Sequence, residues 1–137
     1  MVPAILVFME KTNAPPSLKV FLVEDSALIR QRLRRLIGSV AHVDIVGEAE
    51  DADSALEGIH ASRADIAVVD LHLNGSHGLA LLKGLAQQEP QVLAIVLTNY
   101  ATPEFKRECL SAGARYFFDK TNEFDLVRQT IRSIAAY

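Results

Sequence analysis

Cysteine is almost absent from this chain. The single Cys109 excludes an intramolecular disulfide and makes a reducing, cytoplasmic setting the simplest expectation. An excess of positive charge is also missing. Fourteen Lys and Arg against 17 Asp and Glu leave a net charge of −3, so wholesale binding of nucleic acid or of an anionic membrane surface is not expected. No apolar run approaches the roughly 20 residues of a membrane span. The opening MVPAILVFME has no preceding basic residue and no small-residue cleavage pattern, so it reads as neither signal peptide nor anchor. No glycine-rich phosphate loop follows the first strand-like run, which argues against a nucleotide-binding protein of that kind. Repeats and low-complexity tracts are lacking too. What is there is 137 residues of 50% hydrophobic composition, enough for one domain with a real core.

KTNAPPS (11–17) is polar and broken by proline, so residues 1–17 read as an N-terminal extension and linker, and 18–137 as the domain. Met9 is an alternative start, and a short extra element packed on the domain is the competing reading. From residue 18 onward strand and helix alternate. KVFLV is the first strand. Ser26 caps a helix running to about Val40, with Ile29, Leu33, Leu36 or Ile37, and Val40 inward. Further strands fall at 43–50, 64–70, 91–98 and 115–119. The intervening helices fall at 51–62, 78–88 and 103–112, the last opening on Pro103, and a fifth covers 122–136 with Phe124, Val127, Ile131 and Ile134 inward. Near-continuous apolar strands between amphipathic helices imply a parallel sheet covered on both faces. Five such units predict an α/β, flavodoxin-like, doubly wound (βα)5 fold with a five-stranded sheet in the order 2-1-3-4-5.

In such sheets ligands bind beyond the carboxyl ends of the strands, at the switch in strand order. There the first strand ends in Glu24 and Asp25, the third in Asp70, the fourth in Thr98, and the fifth runs into Lys120. Three converging carboxylates repel one another unless a cation sits among them. Hard oxygen ligands suit Mg²⁺. A carboxylate is also a nucleophile toward phosphorus, and Mg²⁺ with a lysine would neutralise the transferring group.

The motifs VEDS (23–26), VVDLHLNGSHGLALL (68–82), VLTNY (96–100) and AGARYFFDK (112–120) together resemble the response regulator receiver domains of two-component signalling, chemotaxis-regulator-like in standing alone. The resemblance covers about residues 18–136. It implies that Asp70 is the phospho-acceptor. It implies that Glu24, Asp25, Asp70 and the main-chain carbonyl of His72 hold Mg²⁺. Thr98 matches the switch hydroxyl, Lys120 the lysine that pairs with the phosphoryl group, and Phe117 the switch aromatic. The implied phosphodonor is a sensor histidine kinase or phosphotransfer protein. The implied readout is a change in the face built from the fourth helix, fifth strand and fifth helix, which would bind a protein target or a second copy of the chain. His72 and Tyr100 occupy positions that tune dephosphorylation in that family. With the chain ending after the fifth helix, no output domain, direct nucleic-acid binding or membrane association is expected.

The sequence departs from the family pattern at Asn74 and Thr121, where proline is frequent, at Asn99, where a small residue is common, and at Phe117, more often Tyr. Each marked residue also has an ordinary reading. Glu24 and Asp25 would favour a helix N-terminus, Thr98 would cap the following segment, Lys120 would be solvated and Phe117 would be core. RQRLRR (30–35) reads as a solvated helix face, with docking to an acidic partner as the alternative. Two rival functions stand beside the phosphorylated module. One is a degenerate receiver-like unit that binds partners without phosphorylation. The other is a phosphatase using Asp70 as nucleophile, disfavoured because Leu71 and His72, not a second acid, follow it.

Overall fold

The computed structural model describes residues 17–73 and 76–136. Residues 1–16 of the extension and the departure at Asn74 lie outside them. Five strands, β1 (Leu18–Val23), β2 (Val43–Ala49), β3 (Ile66–Val69), β4 (Leu93–Thr98) and β5 (Ala114–Asp119), alternate with five helices, α1 (Ala27–Gly38), α2 (Ala52–Ser62), α3 (Gly78–Gln88), α4 (Pro103–Ser111) and α5 (Phe124–Ala135). All pairings within this five-stranded sheet are parallel, in the order β2-β1-β3-β4-β5, the flavodoxin-like arrangement the sequence predicts.

The helix starts follow from capping chemistry. Ser26 Oγ accepts from Ile29 N–H, the Asp51 carboxylate from Ser54 N–H, and Thr102 Oγ1 from Phe105 N–H just before Pro103 opens α4. Helix α3 coincides with its expected span. The other ends differ by a residue or two, where fraying sets the limit. His72–Leu73 pairs antiparallel with Ser76–His77, a short ladder in a stretch that sequence periodicity leaves as loop.

The alternation of strand residues splits the core. Val20 and Leu22 face one side, against Leu33, Ile37, Val127 and Ile131 of α1 and α5. Phe21 and Val23 face the other, against Ala55, Ile59, Leu81 and Leu85 of α2 and α3. A third cluster joins Leu71, Leu82, Val96, Cys109 and Phe117 beneath α4. Both faces of the sheet are therefore dry, and the sheet itself meets solvent only at its edges and strand ends. Phe21 is held closely. A β-carbon on Gly47 would stand 2.6 Å from one edge of its ring, and one on Gly58 the same distance from its tip. The ring occupies a slot that exists because both neighbours lack a side chain.

Candidate functional site

The residues singled out at the strand ends come together because each backbone is tied to a neighbouring strand. Glu24 N–H donates to Ala49 carbonyl (3.0 Å), Asp70 N–H to Val23 carbonyl (2.9 Å) and Lys120 N–H to Thr98 carbonyl (2.9 Å). The parallel ladder thus continues one residue past each strand and fixes where the side chains emerge.

Glu24, Asp70 and Thr98 are buried, and Asp25 is half-buried. One carboxylate oxygen from each of Glu24, Asp25 and Asp70 lies within 4.8 Å of the others. The Lys120 ammonium stands 2.6 Å from Glu24 Oε1 and 3.2 Å from Asp70 Oδ2, with only 9% of the side chain exposed. Lys120 is therefore part of the site rather than a solvated strand-end lysine. His72 N–H donates to Asp70 Oδ1 (3.2 Å), so both oxygens of Asp70 are engaged from opposite sides. Ser26 N–H donates to Glu24 Oε2 (3.1 Å), while the partner of the buried Oε1 is the Lys120 ammonium. Burial, aided by the charge of Asp70, pushes the Glu24 carboxyl up to about 7, outweighing the opposing pull of Lys120 and of the Ser26 amide.

That balance tests the site for a cation. Three oxygen donors converge, and the one lysine, shared between Glu24 and Asp70, leaves the acids in excess. The donor set is that of a hard divalent ion, and the residues fit Mg²⁺.

Thr98 Oγ1 accepts from Tyr100 N–H (3.1 Å), placing the hydroxyl at the end of β4 beside the strand that carries Asp70. Tyr100 is half-exposed and its ring lies tilted against that of His72, 4.0 Å between centroids and 46° between planes, so the two loops flanking Asp70 meet in an aromatic pair. Phe117 is buried in the cluster under α4. No cis peptide occurs among the described residues, Lys120–Thr121 included.

Two supporting residues escape sequence reasoning. Gly78 opens α3, and a β-carbon there would stand 2.6 Å from both Asp70 carbonyl oxygen and Leu71 Cα. Arg30 lies within the run expected to be a solvated face, yet its side chain is only 16% exposed and reaches back to the carbonyl of Glu24. The spacing offers one signal for it: Arg30 sits one helical turn after the Ser26 cap, the distance from which a long side chain returns to the strand end. Elsewhere on the run Arg34 pairs with Glu48 and Arg32 lies over the Phe124 ring.

A doubly wound sheet with acids, a hydroxyl and a lysine at the carboxyl ends of its strands defines a class of phosphoryl-handling signalling domains. Comparison with known proteins gives the particular family. Residues 20–132 match the response regulator receiver domain. The chain is 30% identical over 118 residues to the DNA-binding transcriptional activator DevR/DosR of Mycobacterium tuberculosis, spanning 86% of this chain and 54% of that one. It is 37% identical over 111 residues to protein-glutamate methylesterase/protein-glutamine glutaminase 1 of Carboxydothermus hydrogenoformans, spanning 80% and 32%. Among solved structures, a LuxR-family two-component response regulator from Aurantimonas sp. SI85-9A1 matches with TM-score 0.80 and 29% identity, covering 88% of this chain and 86% of that one. The receiver domain of NarL from M. tuberculosis shares the fold (TM-score 0.81, 24% identity, 89% and 98% covered). The chain belongs to the response regulator receiver domain family of two-component signalling, whose members are phosphorylation-controlled signalling modules. It spans about half the length or less of the curated relatives named here. No helix among the described residues is long and apolar enough to cross a membrane.

Proposed function

We propose that the chain accepts a phosphoryl group on Asp70 from the phosphohistidine of a sensor histidine kinase or phosphotransfer protein. An Asp70 oxygen bonds to phosphorus as the bond to the donor's imidazole nitrogen breaks, and water later attacks the same phosphorus to restore the carboxylate. Catalysis is limited to this self-phosphorylation and its reversal by hydrolysis. The observation that carries the reading is the Lys120 ammonium shared between Glu24 and Asp70 beside three convergent carboxylates.

Glu24, Asp25, Asp70 and the main-chain carbonyl of His72 are the residues that would hold Mg²⁺, which supplies charge neutralisation to the transferring group. Lys120 offsets charge on the phosphoryl oxygens, and the His72 amide keeps the acceptor carboxylate oriented. Thr98 offers a hydroxyl to the attached phosphoryl group, and Phe117, buried opposite Val96 on the neighbouring strand, relays the change to the α4-β5-α5 surface. That surface is the proposed contact for a protein target or for a second copy, in a cytoplasmic setting and without direct contact to nucleic acid.

Intact-protein mass after incubation with acetyl phosphate and Mg²⁺ tests the assignment. The expected result is a gain of one phosphoryl group, lost in Asp70→Asn and with EDTA. No gain, with Mg²⁺ binding established separately, would overturn it in favour of an interaction module that works without phosphorylation.

A further inference from the structure

Arg30 leaves the first turn of α1 and folds back beneath the loop that carries the acidic pair. Its Nη1 donates to the main-chain carbonyl of Glu24 at 2.9 Å and to Glu50 Oε1 at 3.2 Å, and Nε stands 3.5 Å from Glu48 Oε1. The carbonyl it holds belongs to the peptide joining Glu24 to Asp25. That peptide is planar, so holding its carbonyl holds the plane in which both Cα atoms lie and restrains the backbone from which the two side chains leave.

A bare guanidinium this close to an acidic cluster would compete with a divalent ion for the carboxylates. Glu48 on β2 and Glu50 just beyond it cancel that charge. Arg34, 2.8 Å from Glu48 Oε2, holds Glu48 in place from the next turn of the helix. The arrangement is a brace whose hydrogen bonds act on the loop while its charge is spent on β2. A forked, planar cation is needed to reach a carbonyl and two carboxylates together, which a lysine ammonium on a flexible stem does poorly.

We propose that Arg30 is a positioning residue for the divalent-cation site: it holds the Glu24–Asp25 peptide so that both carboxylates are aimed toward Asp70, with Glu48 and Glu50 screening its charge. The inference rests on the receiver chemistry proposed above and goes beyond it in naming what orients the metal-binding acids.

The test follows Mg²⁺ titrations by amide NMR shifts in the β1–α1 loop, with acetyl phosphate uptake measured at limiting and saturating Mg²⁺. Residues that orient metal ligands typically change affinity 10–100-fold, so Arg30→Met is expected to weaken Mg²⁺ about tenfold. Its uptake rate should fall at limiting Mg²⁺ and return to the wild-type rate at saturation. Arg30→Lys should lie between the two. In the paired Glu48→Gln/Glu50→Gln variant the unscreened guanidinium should weaken Mg²⁺ at low ionic strength, and added salt should relieve the loss. Circular dichroism checks folding, and if Arg30→Met does not fold, the Lys variant and the Gln pair decide. An Mg²⁺ affinity within twofold of wild type in the folded variants would overturn the proposal. So would a loss of uptake that persists at saturating Mg²⁺, which would mark a merely structural role. A wild-type chain that binds no Mg²⁺ would instead bring down the receiver chemistry itself, and this inference with it.

Discussion

Alanine at Gly78 is the sharpest probe of how the acceptor loop is built. The glycine N–H donates to Leu71 carbonyl at 3.1 Å, which seats the start of α3 directly on the residues that follow the β3 strand. An added β-carbon would stand 2.6 Å from Asp70 carbonyl oxygen and from Leu71 Cα. Ordinary carbon contacts lie at about 3.5–4.0 Å, so the backbone must yield by nearly an ångström, and no side-chain rotation can absorb it. Asp70 is tied to Val23 on its other side, so the shift falls on the orientation of its carboxylate. A misplacement of about 1 Å costs on the order of a hundredfold in rate, and overpacking about 1–3 kcal/mol in stability. Gly78→Ala is therefore expected to slow acetyl phosphate uptake tenfold to a hundredfold, followed by intact mass over time, and to lower the melting temperature. Gly84→Ala, on the same helix, is the control. Its β-carbon would meet only the tip of the Leu56 side chain, at 3.1 Å, and alanine gains up to about 1 kcal/mol over glycine within a helix. It should melt at or above wild type and take up phosphoryl at the wild-type rate. A Gly78→Ala protein with unchanged rate and melting point, or a Gly84→Ala protein impaired as severely, would refute the reasoning.

Two further outcomes follow from packing and burial. Gly58→Ala should destabilise by about 1–2 kcal/mol despite the helix gain, because Phe21 cannot retreat without meeting Gly47. In a Phe21→Leu background the same change should become neutral or stabilising, as read by urea denaturation followed by circular dichroism. Glu24 binds its proton more tightly folded than unfolded, so its contribution to stability is complete below pH 4.5 and is lost as pH rises through about 7. In metal-free buffer the stability of wild type relative to Glu24→Gln should fall across that window, by up to about 3 kcal/mol. A flat difference would show that the buried carboxyl does not carry the raised proton affinity.

Much of this molecule is legible in one dimension. The caps at Ser26, Asp51 and Thr102 are local hydrogen bonds between residues three apart, and the apolar strands announce a sheet buried on both sides. The acids, hydroxyl and lysine stand at strand ends, so the strand order alone brings them near one another. What periodicity cannot carry is contact between distant segments. Arg30 looks like any arginine on a charged helix until β2 supplies Glu48 and Glu50. The slot for Phe21 needs glycines from two other elements. Glu89, which no motif marks, is nearly buried where it meets the His60 imidazole from α2 and the Gln91 amide. These contacts lower its carboxyl below the usual range, the Gln91 amide contributing most. The antiparallel ladder after Leu71 is too short to leave a period of its own.

The aromatic pair over Asp70 has an optical consequence. The chain contains no tryptophan and three tyrosines, so its near-ultraviolet emission is tyrosine emission alone. Tyr100 lies against the His72 imidazole at the mouth of the site, and Tyr116 stacks on Phe118 along β5, the strand at the centre of the proposed output surface. One fluorophore thus borders the chemistry and another borders its readout. Replacing Tyr137 together with either of them by phenylalanine leaves one emitter at a time, and a stopped-flow trace of the unlabelled protein then times events at the two ends of the domain independently.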